Sequence, residues 1–302
     1  MATVLEELSR SVAEVAAGAG PAVVGVGAAG SGVVIAPGLV ATNAHNVRGQ
    51  DVVVTFADGR RVEGHPVGVD VDGDVAVVAV DTGDAPVLPS PGSAPRVGDA
   101  VVALANPGGR GVRASLGFVS ALDVAFRGPG GRRVDGALEH TAPLARGSSG
   151  GPVVDGGGHL VAIDTHRVGD GFYLALPVDD ALRARLDALG RGEVPRRPRM
   201  GIALAPAHVA RRLRRSVGLP DHDGVLVRAV EESGPADRAG IRQGDLIVRA
   251  AGAAVTTVDE LAAALEAADA DAPVEVVVLR GADEVTLAVH LGGNGTAHQG
   301  SA

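Results

Sequence analysis

Residues 146–154 read Arg146-Gly147-Ser148-Ser149-Gly150-Gly151-Pro152-Val153-Val154, a pair of hydroxyls among glycines at the head of an apolar run. A neutral hydroxyl is a poor nucleophile until a base takes its proton. Glycine on either side of a serine lets the backbone turn sharply and brings main-chain N–H groups close to a developing oxyanion. Two other segments supply the partners such a serine needs. Ala41-Thr42-Asn43-Ala44-His45-Asn46-Val47 offers an imidazole, and Asp72-Gly73-Asp74, followed by Val75-Ala76-Val77-Val78, offers a carboxylate. The imidazole must be held in one tautomer, and its cation stabilised, by that carboxylate. Asp74 is preferred to Asp72 because it abuts the apolar run, where a carboxylate is buried against the imidazole. His140 and His166 are alternative bases by residue type alone, and neither sits in a matching motif.

Around these segments lie short Val-rich runs separated by turn residues. Residues 52–56, 75–80, 100–105, 117–122, 151–154 and 160–165 read as strands. Strands at this spacing predict an all-β sandwich or a pair of barrels. A helix is expected over 3–17, where Val4, Leu5, Leu8, Val12 and Val15 recur at helical spacing behind Glu6 and Glu7. A second, short amphipathic helix is expected over 177–189. The stretch from Val15 to Ala44 carries no charge and is long enough to span a membrane. Its seven glycines, with Pro21 and Pro37, break it into short β-type runs, so no membrane segment is expected.

Residues 191–199, RGEVPRRPR, read as a polar linker stiffened by proline. A second unit is expected over 200–291, with strands near 224–230, 246–250, 274–279 and 285–291 and helices near 207–216 and 258–268. The tail 292–302 is small and polar and is expected to be disordered.

Composition bounds the chemistry. The 302 residues suggest about two domains. With 36 Asp and Glu against 27 Lys and Arg, the net charge of −9 argues against a dedicated nucleic-acid binder. There are 0 Cys, which excludes a disulfide framework, a thiolate metal site and a Cys nucleophile and leaves the redox compartment open. No metal cluster stands out among the 9 His, no phosphate-binding GxxxxGK[ST] loop occurs, and no cofactor is expected.

The chain order His45…Asp74…Ser149 is that of the chymotrypsin class. TNAHNV, DVAVVAV and GSSGGPVV resemble the His, Asp and Ser motifs of the HtrA/Deg family of trypsin-like serine proteases. GSGVVIAPG (30–38), ANPGG (105–109) and GFVSAL (117–122) match that family in order. In the second unit, Gly224-Val225-Leu226-Val227, Ser233-Gly234-Pro235-Ala236, Ala239-Gly240-Ile241 and Gly244-Asp245-Leu246-Ile247 resemble the PDZ domain fused to such proteases. The resemblance implies a mostly β fold: a chymotrypsin-like double β-barrel protease domain over 1–190, followed by a small α+β PDZ domain.

Carried over by position, His45 is the general base, Asp74 orients it and Ser149 is the nucleophile. The oxyanion hole is implied at the N–H groups of Gly147 and Ser149, with Ser148 as a further candidate. Leu144 stands at the wall of the primary specificity pocket and implies cleavage after small aliphatic residues. Asp164, where the family commonly has Asn, and His166 leave cleavage beside a charged residue as the alternative. Ser148 replaces the usual Asn before the nucleophile, and Asn46 replaces an apolar residue after the base. In the PDZ unit, Arg199-Met200-Gly201-Ile202 matches the loop that holds a peptide's terminal carboxylate. Val258 and Leu261 are candidates for the facing wall, while Leu265 reads as core.

The implied function is an ATP-independent endopeptidase acting on unfolded or damaged proteins and peptides, with C-terminal peptides recognised by the PDZ domain. The alternative is a latent protease acting mainly as a peptide-binding or chaperone-like module. A purely structural scaffold is weighed against by the intact His-Asp-Ser set. Homo-oligomerisation as a trimer is implied by resemblance, although no Phe, Tyr or Trp precedes Phe56 to make the family's N-terminal contacts. Glu6 and Glu7 precede Arg10, so the start of the sequence is not expected to act as a secretory leader. The expectation is a cytoplasmic protein, with a periplasmic or extracellular one as the alternative where a leader has been removed.

Overall fold

The computed structural model describes residues 3–128, 133–169, 171–193, 198–205, 207–269 and 272–292. The chain divides into two compact units, Met1–Val194 and Pro195–Ala302.

The first unit opens with α1 (Val4–Ala19). Thr3 and Glu6 cap it reciprocally: the Thr3 hydroxyl accepts the Glu6 N–H at 3.3 Å, and the Glu6 carboxylate accepts the Thr3 N–H at 2.7 Å. Only its C-terminal half is buried, through Val15 and Ala19; Val4 and Leu5 are 80% and 73% exposed, so the expected apolar stripe is covered only in part. The uncharged stretch that follows becomes three strands, β1 (Val23–Val26), β2 (Gly30–Ala36) and β3 (Leu39–Thr42). With β4 (Val52–Thr55), β5 (Arg61–Asp70) and β6 (Val75–Ala79) they close a barrel in the order β1-β2-β3-β6-β5-β4. Among the described residues no helix is long and apolar enough to cross a membrane.

The second barrel has the order β10-β11-β12-β9-β8-β7. Its strands are β7 (Ala100–Ala105), β8 (Arg113–Arg127), β9 (Arg133–His140), β10 (Pro152–Val154), β11 (Leu160–Gly169) and β12 (Phe172–Pro177). β8 runs far beyond the expected 117–122, and β9 was not anticipated. Both are largely half-exposed, so neither carries the continuous apolar run that marks a buried strand. α2 (Asp180–Gly190) follows, capped by the Asp179 carboxylate, which accepts the Leu182 N–H at 2.8 Å. The largest core cluster joins the barrels: Val33, Val75 and Val77 from one, Leu104, Val154 and Ile163 from the other, and Leu182, Leu186 and Leu189 from α2. Burying these side chains is the main stabilising term and fixes how the two barrels face each other.

The second unit is an antiparallel sheet with helices. Its elements are β13 (Ile202–Ala205), α3 (Ala207–Ser216), β14 (Val225–Val230), α4 (Pro235–Arg238), β15 (Leu246–Ala250), β16 (Ala253–Ala254), α5 (Val258–Glu266), β17 (Val274–Arg280) and β18 (Asp283–Val289). The order is β13-β14-β15-β17-β18, with β16 beside β15, which leaves β13 at an edge. Thr257 and Glu260 form a second reciprocal cap on α5. Arg199 pairs with Gly292, so the end of the expected linker and the start of the expected tail belong to this unit. The rest of the tail, 293–302, lies outside the described residues, as do linker positions 194–197. The fold is thus a double β-barrel followed by a small α+β unit.

Candidate active site

His45 sits on a single helical turn after β3, and Asp74 sits just before β6 with φ +52°. Antiparallel pairing of β3 with β6 brings these two ends together. His45 Nδ1 lies 2.9 Å from each Asp74 oxygen, and the His45 N–H donates to Asp74 Oδ1 at 3.3 Å. The carboxylate is buried, while the imidazole is 36% exposed. Placing the proton on Nδ1 leaves Nε2 with a free lone pair, the tautomer a general base needs. Asn43 Nδ2 donates to the Asp74 carbonyl at 2.8 Å, and Thr165 Oγ1, from β11, donates to Asp74 Oδ2 at 2.6 Å.

The loop 146–151 arrives from the second barrel. Gly147 has φ +87°, and a Cβ there would lie 1.9 Å from the Ala29 carbonyl oxygen, so the loop's close approach to the first barrel requires glycine. Most of its peptide units are pinned. Ser31 Oγ donates to the Gly147 carbonyl at 2.8 Å, and Gly151 N–H to the Ser148 carbonyl at 2.9 Å. The Ser149 carbonyl accepts Ser31 N–H at 3.0 Å and Asn46 Nδ2 at 2.8 Å. The Ser148 N–H, expected as a further oxyanion donor, turns to the Ala145 carbonyl at 3.3 Å and is corrected on that ground. The N–H groups of Gly147 and Ser149 donate to no group among the described residues. The Ser149 hydroxyl donates to the Thr165 carbonyl at 3.0 Å and makes no hydrogen bond with His45.

Two cavities meet at Ser149. One, of 320 Å³, is lined by residues including Leu144, Ser148, Asp164, Thr165, His166 and Tyr173, and so holds all three expected specificity residues. The other, of 720 Å³, is lined by residues including His45, Asn46, Arg48, Asp51 and Arg61. His140, one alternative base, is fully buried and bonds through Nε2 to Asp164 Oδ1 at 2.7 Å. Burial raises the Asp164 carboxyl above its usual range, opposed by the His140 hydrogen bond. His166, the other, stacks on Phe126 with ring centres 6.2 Å apart. Neither contacts Asp74. Thr165, Asn46 and Ser31 were not singled out as members of the site. The available signals were the nearness in sequence of Thr165 to Asp164 and of Ser31 to Gly30, and the departure of Asn46 from the apolar residue usual after His45.

In the second unit Gly201 has φ +73°, and its carbonyl accepts the Glu231 N–H at 2.8 Å. Arg199 lies 3.8 Å from the Glu231 carboxylate, an exposed pair of small energetic weight. Met200 and Leu261, expected to line a peptide pocket, are 3% and 2% exposed and belong to the core. Ile202, at the head of edge strand β13, and Val258, at the start of α5, remain partly accessible.

Residues 30–163 match the family model for a trypsin-like peptidase domain, and residues 198–291 that for a PDZ domain. Serine endoprotease DegS of Escherichia coli (strain K12) is 31% identical over 279 residues, which cover 86% of this chain and 75% of DegS. The chain belongs to the HtrA/Deg family of serine proteases. HhoA of Synechocystis sp., a serine protease by name, is 34% identical over 275 residues, or 86% of this chain and 69% of HhoA. Among solved structures, the serine endoprotease from Yersinia pestis is 26% identical with a TM-score of 0.67, covering 94% of this chain and 98% of that one. The HtrA-type protease AlgW with decapeptide superposes with a TM-score of 0.71 at 24% identity, covering 94% and 99%, and supports the fold. The chain spans 56% of the DegP-like protease of Halomonas elongata and 53% of that of Rickettsia conorii. Those two and the Brucella suis relative are named as periplasmic, which overturns the cytoplasmic expectation. That expectation rested on the first residues of the chain, which carry no information about compartment.

Proposed function

We propose that His45, Asp74 and Ser149 perform the peptidase chemistry of this chain on unfolded or damaged proteins without ATP, and that the PDZ domain receives C-terminal peptides. The observation that carries the triad is the hold of buried Asp74 on His45 Nδ1 at 2.9 Å. The Ser149 hydroxyl turns from the Thr165 carbonyl toward His45 Nε2, which takes its proton as Oγ attacks the substrate carbonyl. The oxyanion forms against the N–H groups of Gly147 and Ser149, where donors fixed in advance are worth most. His45 then passes its proton to the leaving amine, and water enters by the same route to hydrolyse the acyl-enzyme.

A second reading is a protease at rest until a ligand arrives. The hydrogen bond from Ser149 to Thr165, in place of one to His45, favours it. Hydrolysis of casein by the wild type and by Ser149→Ala tests both. Loss of hydrolysis in the variant is the expected result, and equal activity would reject the assignment. A wild type inactive until a C-terminal peptide is added supports the resting state.

A further inference from the structure

The 720 Å³ cavity beside Ser149 lies on the leaving side of the reaction. His45 must protonate the amine that departs, so the half of the substrate after the cleaved bond runs along the cavity that His45 lines. Two arginines, Arg48 and Arg61, line the same cavity, and both are exposed.

The chain places each of them there for a local reason. Arg48 follows His45 by three residues, so its Cα lies within about 11 Å of that of His45, the span of about three residues of extended substrate. Arg61 opens β5 opposite Thr55 of β4. Arg61, Glu63 and His65 are exposed and alternate with the more buried Val62 and Gly64, so all three lie on the outer face of the barrel. Val53 stands opposite Glu63 on that face, is 37% exposed and lines the cavity. Arg61 is thus on the cavity side of the barrel wall and not in its core.

The charges around this cavity do not balance. Among the described residues its one acidic lining residue is Asp51, whose Oδ1 already accepts from His65 Nδ1. Neither Arg48 nor Arg61 forms an ion pair or a side-chain hydrogen bond among the described residues, and Glu63 forms no ion pair with Arg61. In a chain of net charge −9, two unpaired cations beside the nucleophile stand out. A guanidinium presents its N–H donors as a fork that fits a carboxylate.

We propose that Arg48 and Arg61 select an acidic side chain, Asp or Glu, within the first three residues after the cleaved bond. The same two charges disfavour Lys and Arg at those positions. The preference belongs to the leaving half alone and is separate from what Leu144, Asp164 and His166 impose on the residue before the bond. The proposal rests on the protease reading above.

The test is competitive cleavage of one mixed peptide library by the full chain, with cut sites read by mass spectrometry. A peptide ending in a free apolar residue is present throughout, so that a protease at rest is also engaged. Ratios within one library do not depend on how much enzyme is folded. Asp and Glu after the bond are expected to exceed Asn and Gln by about two- to fivefold, the scale of an exposed carboxylate–guanidinium pair. Raising NaCl from about 0.05 M to about 0.5 M is expected to shrink that ratio, because exposed charges are screened. Arg48→Gln and Arg61→Gln should each lower it, and the double variant should bring it close to one. Preferences before the bond should stay as in the wild type, which a general loss of structure would not allow. A wild-type ratio near one, or a ratio that the double variant leaves unchanged, would overturn the inference while the protease reading stands. An absence of any cut that is lost in Ser149→Ala would remove that reading and the inference with it.

Discussion

The Thr165 hydroxyl donates to Asp74 Oδ2 at 2.6 Å, across the seam between the two barrels. The carbonyl of the same residue accepts the Ser149 hydroxyl at 3.0 Å. One strand position of the second barrel therefore bonds both to the Asp74 carboxylate of the first barrel and to the Ser149 hydroxyl. Thr165→Val removes the hydroxyl and leaves the carbonyl. Loss of a hydrogen bond to a buried carboxylate costs about 1.5–3 kcal/mol, so kcat is expected to fall about 10- to 100-fold with KM little changed. Thr165→Ser keeps the donor and should keep most of the rate. Steady-state kinetics on a peptide cut by the wild type measures both, and a wild-type kcat in Thr165→Val would contradict this role.

Asn46 adjoins His45 in sequence and touches Ser149 in space. Its Nδ2 donates at 2.8 Å to the Ser149 carbonyl, which also accepts the Ser31 N–H. Asn46→Val restores the apolar residue usual in the family and removes one of two donors. The expected loss is about 0.5–1.5 kcal/mol, or two- to tenfold in kcat, because Ser31 still holds the carbonyl. Asn46→Asp sets a carboxylate against a carbonyl oxygen and should be the more damaging. Equal rates in all three proteins would show that the contact does not position Ser149.

Asp164 gives a stability prediction with a definite sign. Its folded value is raised above 3.8 by burial. Between these values the folded state holds more protons than the unfolded one, so stability falls as pH rises through that window. The wild type should therefore lose melting temperature relative to Asp164→Asn as pH climbs from about 4, and the difference should level off once the buried carboxyl has ionised. Other carboxylates titrate alike in both proteins. A wild type that gains on the variant over that window would show that the His140 contact outweighs desolvation.

The PDZ unit predicts dependence on a free C-terminus. β13 is an edge strand, and Gly201 turns the loop ahead of it with φ +73°. A peptide that adds to this edge would bring its terminal carboxylate to that loop. A peptide ending in a free apolar residue should bind more tightly than its amidated form by calorimetric titration. Equal affinities would count against the loop.

The legible parts of the site share a physical cause. His45, Asp74 and Ser149 each border a continuous apolar run or a glycine cluster, and such local patterns survive in one dimension. Thr165 does not stand out, because a threonine inside a buried run reads as one more strand residue. His140 and Asp164 lie on β9 and β11, which do not pair with each other, so their contact shows only once both strands are placed in one closed barrel. Met200 and Leu261 were misread because an apolar side chain beside a groove and one beneath it have the same pattern. The barrels were legible from the Val runs, but the half-exposed β9 was not, since its alternation is interrupted by Gly136.

The central claim is that Ser149 is a nucleophile activated by His45. Treating the full chain with a fluorophosphonate, with and without a C-terminal peptide, and locating the adduct by mass spectrometry tests it most directly. The account predicts a single phosphonylated residue, Ser149, with labelling lost in His45→Ala. Labelling at another serine, or labelling of Ser149 that survives His45→Ala at the wild-type rate, would contradict it.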